Sequence, residues 1–396
     1  MPKLRSYAVP FSLLCKLCGA PEETVEELEQ GSVVTPVVAQ AEAEGAPTSS
    51  TDALAPSAPA ELAYVELEAM SLDAVGATAA ESSTHDSAAA ALPCVGPPGL
   101  YREGSCDMLA EGVRPYAPRF QLWSDGEIKE RFVYLPPGSV IDATNPDRWN
   151  YPVGTRLYKT FAQGSFRLET RVIEKVAPGR GPDAWSFRAY AWDDTQTQAK
   201  LVEVEGRADV LGTHHDIPSV AQCRSCHSAA GQDAVNGFSA IQLNHQSRQL
   251  SLSTLISQRT VRTPYRHQLV AAARLPGNEL DQAALGILHV NCGHCHGGPR
   301  PRGRLSLWTT VGQPDLASSN VYRALVGAPL EVWLDHTNTE GAALALRVRP
   351  GAPLLSGVVA RMSLRGSRDQ MPPIGSEVVD TESVATLSKW IETLER

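Results

Sequence analysis

The chain has 396 residues, enough for two or more domains with their own cores, and its short apolar runs exclude an integral helical membrane protein. Its net charge of −9 is unevenly placed: no Lys or Arg occurs from Leu17 to Tyr101, while 14 Asp and Glu lie between Glu22 and Asp86. With three basic residues among the first sixteen, residues 102–396 carry only +2, which leaves no basic footprint for nucleic acid.

Residues 1–20, MPKLRSYAVPFSLLCKLCGA, start basic and turn apolar, the outline of an export signal, although Lys16 interrupts it and no Ala-x-Ala follows. Cys15 or Cys18 could instead carry a lipid anchor after export, but the small residues that should precede such a cysteine are missing. The same pair could also be half a zinc site, with no second pair nearby. Residues 21–92 are acidic and rich in Ala, Ser, Thr, Glu, Val and Pro, with Tyr64 the lone aromatic. Such a segment buries too little surface to offset its chain entropy and is expected to be a disordered tether.

From Cys94 the composition becomes that of a folded domain. Alternating runs at Glu130–Leu135, Arg156–Phe161, Phe166–Ile173 and Trp185–Trp192 predict strands, separated by turn signals at Leu135–Gly138, Asn145–Pro146 and Pro178–Pro182. Residues 93–212 are therefore expected to form an all-β sandwich or barrel-like domain, which gives the whole chain an α+β class. Aromatic strand residues are usually core, so the simplest role for this domain is structural or docking. Cys94 and Cys106 are close enough in sequence to pair, which would suit an oxidising compartment.

The chemistry sits in two repeats of Cys-x-x-Cys-His: Cys223, Cys226 and His227, then Cys292, Cys295 and His296. Chance gives on the order of 0.004 such motifs for a chain of this composition, so two are not accidental. Thiols about one helical turn apart can each form a thioether with a haem vinyl group, and the histidine that follows can bind the iron from the same face. Zinc uses the same residue types, since two Cys-x-x-Cys pairs can clamp one tetrahedral ion, but it leaves both histidines unexplained. A redox dithiol would expect a βαβ setting, which neither motif has.

Residues 213–275 are accordingly expected to hold the first haem c and residues 276–396 to form a mainly α-helical cytochrome c-like domain around the second. Asn278–Val290 predicts a helix with Leu280, Ala284, Ile287 and Leu288 on one face. Asp380 predicts the cap of a final helix with the stripe Val384, Leu387, Trp390, Ile391 and Leu394. Met371, in Met-Pro-Pro, stands 75 residues after His296 on a stiff loop and is the expected second axial ligand there. For the iron at His227 the candidates are His214, His215, His245 and His267, with Met362 more remote; an open position is the other outcome. Trp308 and Trp390 are expected near the second haem.

The run Phe120–Gly126, with Leu135–Gly138, Tyr151–Thr155, Glu169–Arg171 and Tyr190–Asp194 followed by two Cys-x-x-Cys-His motifs, resembles a family of bacterial di-haem c-type cytochromes with an N-terminal β-rich region. The resemblance covers roughly residues 115–396 and does not extend to the acidic segment. It implies export, two covalent haems on Cys223, Cys226 and His227 and on Cys292, Cys295, His296 with Met371, and a redox partner protein of undefined identity. The expected function is periplasmic or otherwise extracytoplasmic electron transfer by a protein that does not span the membrane and is either free or tethered at its N-terminus by a lipid anchor. A di-haem oxidoreductase of the peroxidase type, with an open first haem, is the alternative, and a redox-sensing binding module a third.

Overall fold

Side-chain alternation builds the first half of the fold. A computed structural model describes residues 93–227, 233, 235–298, 301–331 and 343–395, all within the unit His85–Arg396. The expected export signal and acidic tether lie outside the described residues. The strands are β1 (Val113–Pro115), β2 (Ile128–Tyr134), β3 (Ile141–Asp142), β4 (Arg156–Gln163), β5 (Phe166–Lys175), β6 (Trp185–Trp192) and β7 (Ala199–Leu201). All but β3 form one antiparallel sheet in the order β1-β2-β4-β5-β6-β7, and β3 leaves it to pair in parallel with β8 (Val261–Arg262). The four predicted strands match β2, β4, β5 and β6 closely.

The expected sandwich or barrel is here a single open six-stranded sheet. Alternation specifies that a face is buried but not what covers it. One face, with Val133, Leu157, Trp185 and Phe187, packs against Phe238, Leu243, Leu252, Leu255 and Leu269 from later in the chain. The other face carries Phe132, Tyr158, Val172 and Tyr190 beneath Leu100. Cys94 and Cys106 form a disulfide, with Cα atoms 5.6 Å apart, beside that second face.

The helices are α1 (Val220–Cys226), α2 (Leu252–Ser257), α3 (Arg266–Ala272), α4 (Glu279–Asn291), α5 (Asn320–Leu325), α6 (Gly357–Met362) and α7 (Thr381–Thr393). Among the described residues no helix is long and apolar enough to cross a membrane. The two longest, α4 and α7, are the two predicted from sequence. Asn278 caps α4 through Asp281 in a reciprocal pair of hydrogen bonds, and Asp380 accepts from Ser383 N at the start of α7; such caps contribute about 0.5–2 kcal/mol each. Ala284 and Leu288 of α4 meet Leu387, Trp390 and Ile391 of α7 in a second core that also takes in Met362 and Leu307. Most of the segment 235–273 thus shares a core with the sheet, whereas the chain from Leu275 onward builds a second core that Ile241 and Phe120 join.

Candidate functional site

Both Cys-x-x-Cys-His motifs adopt the same turn. At the first, Ser219 caps α1 with Gln222, and α1 carries Cys223 and Cys226 one turn apart; the His227 amide donates to the Cys223 carbonyl at 3.0 Å. At the second, α4 ends at Cys292, and the His296 amide donates to the Cys292 carbonyl at 2.8 Å. All four cysteines are free thiols. Burial pushes the Cys223 thiol up and the Cys292 thiol up to about 12, so both are held protonated.

The structure brings the motifs together. Cys226, Cys295 and His294 place their ligand atoms within 4.8 Å of one another, a set that could hold a metal ion. Cys226 is hydrogen-bonded to Cys295, whose thiol is drawn below its usual value by that bond and by His294 and Arg302. Arg302 ties the two motifs: its guanidinium donates to Ser225 Oγ at 3.0 Å, and its carbonyl lies 2.7 Å from His296 Nδ1. A carbonyl only accepts, so Nδ1 carries the proton and Nε2 presents a lone pair, the tautomer a metal ligand needs. Burial also lowers the His296 pKa, which favours the neutral ring.

Cys223, Cys226 and His227 border a cavity of about 880 Å³ whose lining also includes Leu157, Lys159, Phe187 and the prolines of the Met-Pro-Pro loop. His227 also meets the Phe187 ring, with centroids 5.5 Å apart. Of the four histidines considered for this site, His214 and His215 line the cavity. His245 faces a different cavity, where its Nε2 is 2.8 Å from the Ala117 carbonyl, and His267 sits exposed on α3; Met362 is in the second core. His215 is held on both sides, Nδ1 3.1 Å from Glu127 and Nε2 2.9 Å from Glu169. Burial opposes its charged form, but the two carboxylates outweigh burial and raise its pKa.

The second motif is packed more tightly. A Cβ on Gly297 would overlap the Gly293 carbonyl and crowd Trp308, so these glycines let the motif lie against the tryptophan. Trp308 is therefore beside the second motif and packs, tilted, against His289 with centroids 4.4 Å apart. Trp390 lies in the second core, its Nε1 donating to Asp281.

Met371 follows α6, where its amide donates to the Arg361 carbonyl, and Pro372 and Pro373 line the cavity of the first motif. The loop is pinned by residues that the sequence singled out only through a resemblance. Asp125 accepts from Ser376 Oγ and from the amides of Glu377 and Val378, while Trp123 bonds to the Val378 carbonyl and, through its amide, to Asn291 just before Cys292. Phe120 packs so close to α4 that any Cβ at Gly286 would overlap its ring. The run Phe120–Asp125 is the brace between the Met-Pro-Pro loop and the second motif. Its signal in sequence is the mid-helix glycine, which would otherwise be a poor helix residue.

The donor chemistry fits covalently held haem. At the first motif two thiols and an imidazole border a cavity of suitable size. At the second, the His296 tautomer is fixed, and Trp308 Nε1, His289 Nε2 and Thr309 Oγ1 are buried without hydrogen-bond partners among the described residues. Comparison with family models, with curated proteins and with solved structures finds no match for this chain.

Proposed function

We propose that this protein is an extracytoplasmic di-haem c-type cytochrome that transfers electrons between its two haems and a redox partner protein. The observation that carries the reading is the meeting of the two motifs through Cys226, Cys295 and Arg302, 69 residues apart in sequence yet sharing hydrogen bonds. Two redox groups attached there would be close enough for electron passage. Cys223, Cys226 and His227 would hold one haem, and Cys292, Cys295, His296 and Met371 the other. When bound, the haem irons would supply one-electron redox chemistry. The chain would orient His296 through the Arg302 carbonyl, brace the Met371 loop through Asp125, and exclude water from the second motif through Trp308. The Cys94–Cys106 disulfide supports assembly outside the cytoplasm.

A second reading is favoured by one observation. The cavity at the first motif also contains His215 between Glu127 and Glu169, an acid/base cluster beside a position where a small oxidant could bind. That arrangement suits a peroxidase-type oxidoreductase with an open first haem. Optical spectra of matured protein, oxidised and reduced, with carbon monoxide and with peroxide, separate the two. Two low-spin haems indifferent to both ligands are expected; a high-spin haem that binds carbon monoxide would transfer the assignment to the peroxidase class.

A further inference from the structure

The sheet wall of this cavity carries a feature that electron transfer alone does not require. In the register of the sheet, Lys159 on β4 stands directly opposite Arg131 on β2 and Arg171 on β5. Residues opposite one another in an antiparallel sheet point to the same face, and all three line the cavity. Three cations in a cross-strand row repel one another.

Among the described residues, the nearby carboxylates pair with Arg171 and leave the other two cations of the row without a carboxylate partner. Glu169 is taken by Arg171, through bonds of 2.8 and 2.9 Å, and by His215; Glu127 is taken by the other side of His215. Lys129, next along β2, donates to the Glu127 carbonyl. Arg131 is buried and its guanidinium reaches only a backbone carbonyl at 3.4 Å, while the Lys159 ammonium lies 4.4 Å from the Phe161 ring. Among the described residues neither has a carboxylate partner. Buried charge without a counter-charge is costly, so a fold that keeps this row at a cavity is arranged for an anion.

The next register row along the same wall is apolar: Leu157 opposite Ile173, and Ile173 opposite Phe187, all three lining the cavity. An apolar band beside a cationic band matches a ligand with an apolar body and carboxylates on one edge. Arg171, Cys223 and Cys226 all line this cavity, so the cationic band and the first motif share it.

We propose that Arg131, Lys159 and Arg171 form a carboxylate-binding site in this cavity, occupied by the propionate groups of the haem attached to Cys223 and Cys226. The occupant rests on the di-haem reading; the site itself rests on the sheet. Burial, then Arg131, Arg171 and Lys129, push the Lys159 pKa well below its usual value, which is what an ammonium awaiting a counter-ion would feel.

The test uses full-length matured protein as wild type, Lys159→Gln and Lys159→Arg, with haem count and spectroelectrochemical midpoint potentials measured for each. Lys159→Met is a second neutral variant, read in the same way if Lys159→Gln does not fold. A propionate left without its cation stabilises ferric iron. Lys159→Gln should therefore keep both haems, lower the potential of one and leave the other in place, and Lys159→Arg should restore it. Both potentials unchanged, with no response of the wild type to added acetate, would overturn the proposal. Unchanged potentials with an acetate response that only the wild type shows would keep the carboxylate site but overturn propionate as its occupant. Wild type without covalent haem would sink the di-haem reading alone. Thermal stabilisation of that protein by acetate, abolished by Lys159→Gln, would then support the site, and no stabilisation would overturn it.

Discussion

The two Cys-x-x-Cys-His motifs have the same residues, the same terminal hydrogen bond and opposite surroundings. The first ends a short helix with no buried residue and borders a wide cavity under a charged sheet. The second ends a capped thirteen-residue helix and lies against Trp308 through two glycines. Attachment chemistry needs only the local turn, whereas redox potential and ligand access depend on what surrounds it. Under the di-haem reading proposed above, equal motifs in unequal environments suit groups of different potential, with the first the more accessible.

Replacing cysteines tests whether the motifs are equivalent in attachment, and it should produce the largest effect. Cys292→Ala with Cys295→Ala should remove one haem of two, and Cys223→Ala with Cys226→Ala the other, as read by haem-stained gels and intact mass. A pair whose removal changes neither count would not be an attachment site. The sheet side of the comparison depends on Asp233, which accepts from Lys175 at 2.7 Å, both side chains fully buried. Asp233→Ala leaves that ammonium unpaired and should cost about 3–5 kcal/mol in chemical denaturation. A cost near zero would show that the ion pair does not hold this region to the sheet.

On the helical side, Gly286→Val drives a side chain into Phe120 and should cost about 1–3 kcal/mol. It should also change the spectrum of the second haem more than that of the first, because Phe120 starts the brace to Asn291. Equal changes at both would sever the brace from the second motif. The smallest effect concerns His215. Its raised pKa stabilises the fold at low pH, and this contribution is lost as pH rises through the folded value. Burial opposes ionisation of Glu127 and Glu169, but His215, and for Glu169 also Arg171, lower both, so their contribution is lost as pH falls through the lowered values. Stability should peak between these limits, and His215→Gln should remove the alkaline limb. An unchanged alkaline limb in denaturation curves would contradict the role given to His215.

Much of the architecture was legible in the sequence because it is local. Period-two alternation located β2, β4, β5 and β6, and Asn278 and Asp380 located the starts of α4 and α7. The spacing of Cys94 and Cys106 anticipated their bond. What could not be read is long-range. His245 and His267 were candidates by residue type, yet only His214 and His215 reach the cavity. Arg302 orients His296 through a backbone carbonyl, which any residue could offer, and reaches the first motif through its guanidinium on Ser225, a long-range contact. The cation row exists only once β2, β4 and β5 are in register, since Arg131, Lys159 and Arg171 are widely separated in sequence.

The central claim is most directly tested by a pyridine haemochrome assay and elemental analysis on one sample of protein matured with the c-type haem apparatus. Two covalent haems per chain, with iron in the same ratio and no zinc, are the predicted result. A chain without covalent haem that holds zinc, and loses it on Cys226→Ser, would contradict the account and assign Cys226, His294 and Cys295 to a metal centre instead.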